Sequence, residues 1–112
     1  MNSRTFVHLF HIFIVGGLFL YVGINKEKIS SWLFTVLFYL GFIIVLYHLY
    51  KVYGYLNTGK SIWVNLIHIL IVGPLLVYIG YNGVRTSRKF FELLIMLGFA
   101  SIGYHLYYLI KY

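Results

Sequence analysis

Long apolar runs alternate with short polar breaks along the chain. Four runs stand out, at about 5–24, 31–53, 62–81 and 89–110. Each holds roughly 20 residues, which as a helix crosses a hydrocarbon core about 30 Å thick. The breaks are Asn25 to Ser30, Asn57-Thr58-Gly59-Lys60, and Asn82-Gly83 to Arg88. Breaks this short make consecutive helices antiparallel. The runs are apolar all round and about twice as long as a barrel strand, which favours helices over a transmembrane β-barrel.

The chain also repeats itself. Shifted by 57 residues, it lies over itself without a gap. Val7 to Gly16 aligns with Val64 to Gly73, Tyr21-Val22-Gly23 with Tyr78-Ile79-Gly80, Leu40-Gly41-Phe42 with Leu97-Gly98-Phe99, and Tyr47-His48-Leu49-Tyr50 with Tyr104-His105-Leu106-Tyr107. Each copy carries two spans, so the second starts from the same face as the first. The pattern predicts an all-α integral membrane protein: four transmembrane helices in two tandem parallel-repeat hairpins, 1–56 and 57–112. The N-terminus, the 57–60 break and the C-terminus then share one face.

Composition agrees with lipid as the solvent. Of 112 residues, 62% are hydrophobic and 10% charged, against roughly 25% charged in a soluble domain. The net charge of +7 does not point to nucleic acid. Arg4, Lys26, Lys28, Lys51, Lys60, Arg85, Arg88, Lys89 and Lys111 lie near the ends of apolar runs, suited to anionic lipid headgroups, and form no basic stripe. The expected partners are the bilayer and its anionic headgroups, with a homo-oligomer open. With no cysteine, disulfides, thiolate metal sites and cysteine nucleophiles are excluded. No small-residue cleavage site follows the first run, so a retained span is expected rather than a signal peptide. Lys26, Lys28, Arg85, Arg88 and Lys89 on one face, against Arg4, Lys60, Lys111 and Lys51 on the other, give a slight bias to termini outside.

Histidine carries the candidate chemistry. His11 and His68 are copies of one another, as are His48 and His105. At 1.5 Å per residue all four fall about one to two turns below the terminal face, one to each span, in a single layer. His8 adds a fifth, where the second copy has Asn65. Ionisable side chains inside a membrane are functional candidates by default. Imidazole ligates haem iron and transition metals. Gly41 and Gly98, two turns deeper on the same faces as His48 and His105, leave room for a flat ring or for a close helix. The leading expectation is therefore a haem b or a metal ion held by His11, His48, His68 and His105, with electron transfer as the use. Two readings stand beside it. In one the protein is a structural or assembly component of a membrane, such as that of a virion, and the histidines, with Tyr47, Tyr50, Tyr104, Tyr107 and Asn65 nearby, hydrogen-bond across helices to a Tyr hydroxyl or a backbone carbonyl. In the other, an oligomeric proton, ion or solute pathway uses the same imidazoles. No polar column crosses one copy of the chain.

The remaining polar residues have plain explanations. Glu92 is the one acid within a span and is expected in the first turn of its helix, where a negative charge is favoured, near Arg88. Lys51, one turn past His48, is expected to reach for the headgroups. Pro74 should kink the third span, and Gly16-Gly17 holds its place in the first. Trp32 and Trp63 are interfacial anchors. No hydrolase triad, phosphate loop, carboxylate pair or nucleotide fingerprint is present, so catalysis is not expected. Small multidrug transporters match in length and span number, but their first-span Glu is absent. Heavy use of Phe, Tyr, Ile, Lys and Asn, with Ala100 the single alanine, resembles small multi-spanning membrane proteins of AT-rich large DNA viruses. The resemblance implies a viral or host membrane and no activity.

Overall fold

Apolar runs of this length can satisfy their backbone bonds within themselves as helices. The computed structural model describes residues 3–111, and four helices in it are long and apolar enough to cross a membrane: α1 (Ser3–Lys28), α2 (Ser31–Thr58), α3 (Trp63–Arg85) and α4 (Arg88–Lys111). No strand occurs among the described residues. The second break lies two residues later than its polar residues suggest, at 59–62. Asn57 and Thr58 belong to the last turn of α2, bonded back to the carbonyls of Tyr53 and Tyr55. The helix stops only at Gly59, whose φ of 75° is the left-handed conformation that ends helices.

The chain forms two compact units, one from the first and last helices and one from the second and third. Each unit therefore takes one helix from each copy of the repeat. Inside each, a matched set of glycine contacts holds two antiparallel helices. A Cβ on Gly23 of α1 would meet Ile95 and the carbonyl of Phe91 on α4, and one on Gly80 of α3 would meet Phe38 and the carbonyl of Phe34 on α2. Gly16 lies against Ile102 as Gly73 lies against Val45, and Gly98 against Leu20 as Gly41 against Val77. Every one of these pairs is related to its counterpart by the 57-residue shift. Burial follows the same rule. Val22 and Ile79 have no exposure, nor have Leu37 and Leu94. Missing side chains at the crossings bring the backbones of the paired helices together. The other faces carry Phe13, Leu46, Leu70, Met96 and Ile110, all largely exposed, as lipid-facing side chains would be.

Two departures from α geometry are also duplicated. Residues His11–Val15 and His68–Val72 form π turns, closed by the amides of Gly16 and Gly73 on the carbonyls of His11 and His68. Pro74 sits just beyond the second turn. Because the first copy makes the same turn with Gly17 in that place, proline is not its cause.

The other departure lies where α1 and α3 end. Gly83 has φ 55° and ψ −128°, a conformation open to glycine and costly to residues with a Cβ. Its counterpart is Lys26, at φ 53° and ψ −125°. Such strain costs about 1–3 kcal/mol. Lys26→Gly is therefore expected to raise stability by about 1 kcal/mol and Gly83→Lys to lower it, read from thermal unfolding in detergent. A Lys26→Gly chain that melts lower than the parent would contradict this.

Candidate functional site

The four duplicated histidines come together two by two, one pair in each unit. In the α2–α3 unit, His48 and His68 stack with ring centres 4.1 Å apart and planes 21° from parallel. In the α1–α4 unit, His11 and His105 stack at 4.2 Å and 24°. The antiparallel crossing explains the pairing. Residues early in α1 or α3 face residues late in α4 or α2, and the glycine contacts bring the helices close enough for imidazoles to touch.

Each ring is held by its Nδ1 atom. A carbonyl only accepts, so His11 donates its Nδ1–H to the carbonyl of Val7, and His68 donates to that of Val64, both at 2.8 Å. These bonds reach back one turn on the same helix, to the turn that precedes each π segment. His48 Nδ1 lies 2.6 Å from the amide oxygen of Asn65, again a bond that His48 donates. Asn65 is buried. With the proton on Nδ1, the ring lone pair of these three histidines falls on Nε2. At the matching place in the other unit, His105 Nδ1 lies 2.9 Å from His8 Nδ1. His105 is the buried member of the set. It is bonded to His8, stacked on His11, and met edge-on by Tyr104 at 5.1 Å. Tyr108 stacks on His8 with ring centres 6.4 Å apart, and the hydroxyl of Ser101 donates to the carbonyl of His11 at 3.4 Å.

Of the two uses expected for Gly41 and Gly98, the close helix is the one present. A Cβ on Gly41 would lie 2.6 Å from the carbonyl oxygen of Gly73, and one on Gly98 3.1 Å from Leu20. Rings stacked at about 4 Å leave no gap for a flat macrocycle between them. The members of one pair would have to part before they could flank a single haem. Among the described residues, no group of three or more histidine and acidic side chains is placed to hold a metal ion.

The accessory residues divide. Tyr47 meets His48 edge-on at 5.1 Å, as Tyr104 meets His105. Lys51 folds its ammonium over the Tyr47 and Tyr55 rings at 5.7 and 5.8 Å, a cation–π placement. Glu92 is exposed, and α4 begins at Arg88, so it opens the second turn rather than lying in the first. The His8–His105 bond and its amide counterpart, Asn65 with His48, were not foreseen as pairs. The signal was present, since the repeat sets His8 opposite Asn65 one turn before a duplicated histidine.

No protein-family model, no curated protein and no solved structure matches the chain.

Proposed function

We propose that the chain is a multi-pass integral membrane protein with a structural or assembly role, in which the paired histidines fasten antiparallel helices together near one end. One observation carries this reading. Each duplicated imidazole is packed face to face against its partner on the neighbouring helix, with its Nδ1 engaged by a protein atom. That is how a polar ring is accommodated in an apolar setting, and the two bonds that cross between helices, His48 with Asn65 and His105 with His8, contribute about 1 kcal/mol each. The glycine crossings and the broad apolar outer faces support the same role.

A transition-metal ion is the second reading, and a specific observation favours it. An Nδ1–H bonded to a backbone carbonyl, with the lone pair on Nε2, is the arrangement that presents histidine to a metal. His11 and His68 have it. In that reading His11 with His105, or His68 with His48, would supply Nε2 to the ion after a small rotation of the rings.

Two measurements decide. The chain has no cysteine, so Ser30→Cys and Ser61→Cys, at opposite ends of α2, can be labelled singly in sealed vesicles. The expected result is labelling from opposite sides; labelling from the same side rules out α2 as a span. Absorption and elemental analysis of the purified protein address the histidines. Colourless, metal-free protein that melts lower after His48→Ala or His105→Ala is expected. A stoichiometric metal or a Soret band, lost in those variants, would replace the structural reading with the cofactor one.

A further inference from the structure

The two units share their glycine contacts and stacked imidazoles but differ in the side chain that meets the Nδ1 atom of His105 and of His48. His8 in the first stands where Asn65 stands in the second. We propose that His8 and His105 form a proton-holding site, able to share one proton between their Nδ1 atoms and forced apart by a second. The proposal does not rest on the structural role above, because it concerns what these two rings bind.

The chemistry follows from the 2.9 Å separation of the two Nδ1 atoms. One must donate and the other accept. In the matching unit the donor is unambiguous, since His48 Nδ1 faces an oxygen that only accepts. By that correspondence His105 donates to His8, and His8 keeps its own proton on Nε2. A first added proton enters at His105 Nε2. The Nδ1–H···Nδ1 bond is then retained and becomes charge-assisted, and such bonds are shorter and stronger than neutral ones. The shared proton can sit on either ring. A second added proton has only His8 Nδ1 to occupy. Two N–H groups would then point at each other across the bond, and the contact breaks. In the α2–α3 unit no such limit exists. His48 can take a proton on Nε2 while its Nδ1–H still bonds to Asn65.

The surroundings concentrate the effect on His8 and His105. On α1, Arg4 lies one turn before His8 and His11 one turn after. On α4, Tyr104 abuts His105, Tyr108 stacks on His8, and the Lys111 ammonium lies 6.0 Å from the Tyr108 ring centre. None of the residues named here carries an acidic side chain.

Nuclear magnetic resonance of the intact chain with nitrogen-15 histidine, in detergent micelles, tests the site. The pH is lowered from about 8 to about 4.5, a range spanning the ordinary titration of imidazole. The expected spectrum at high pH has one through-hydrogen-bond coupling between the Nδ1 atoms of two different histidines. It should survive the first protonation and vanish on the second. His8→Asn copies the arrangement of the other unit and so should fold. It should abolish the coupling and leave His105 titrating like His48. Asn65→His should create a second coupled pair with His48. Five independently titrating rings in the parent, or an Asn65→His chain that folds without a second coupling, would overturn the proposal.

Discussion

Replacing Gly80 by alanine is expected to lower the stability of the protein in detergent by about 1–3 kcal/mol, the usual cost of forcing extra volume into a packed contact. The new methyl would lie 2.5 Å from the amide nitrogen of Phe38, 2.6 Å from the carbonyl oxygen of Phe34 and 2.7 Å from the Phe38 α-carbon. These are backbone atoms of α2, so no side chain can swing aside and the whole helix must retreat. Retreat along this crossing also draws His48 away from His68, so one methyl should loosen both contacts. Gly17 supplies the control. Nothing lies within 4 Å of its Cβ position, and Gly17→Ala should change stability by no more than about 0.5 kcal/mol. Thermal unfolding of both variants in the same detergent measures the difference. Equal melting temperatures would mean that the glycine crossings do not hold the helices together.

Removing the amide of Asn65 should cost less, but in a more telling way. Asn65→Leu deletes the acceptor that His48 Nδ1 uses at 2.6 Å. A buried donor deprived of its acceptor costs about 1–3 kcal/mol in water-soluble proteins, while interhelical bonds measured within membranes average about 0.6 kcal/mol. The contact is short and Asn65 is buried, which places the expected loss at about 1–2 kcal/mol. His48→Phe keeps a flat ring against His68 but gives up the donor. Combining it with Asn65→Leu should cost less than the sum of the two single changes, because removing both partners leaves neither polar group stranded. A double-variant cycle that proves additive within about 0.3 kcal/mol would show that the bond contributes nothing to stability.

Much of this was legible in the residues, and what was not has a physical reason. The number and place of the four long apolar helices followed from the apolar runs, since runs of that length suffice to cross lipid. The pairing of α1 with α4 and of α2 with α3 was hidden by the repeat itself. Duplication gives each helix two candidate neighbours with nearly the same sequence, and periodicity does not distinguish them. Gly41 was noticed for the space it leaves, but the sequence does not say whether a ring or a helix fills it. That Gly73 and Val77 fill it depends on a contact with another helix. The histidines were found by their repetition, their division into two stacked pairs only by the crossing. Pro74 drew attention to the third span for a distortion that the first makes without proline. Lys26 could have been picked out as strained, since its copy is Gly83 and a glycine in a sharp break often marks a backbone its neighbours avoid.

The order in which the helices can pair follows from the partnership of α1 with α4. During synthesis α2 and α3 leave the ribosome in succession and can close on one another at once. α1 must wait, its glycine face and its imidazoles without their counterparts, until both have passed and α4 emerges. At roughly 5–20 residues per second that delay is on the order of seconds, long beside the microseconds in which a helix forms. The newborn chain therefore has a vulnerable interval that its finished form does not reveal, in which another protein or a neighbouring copy can engage the waiting helix.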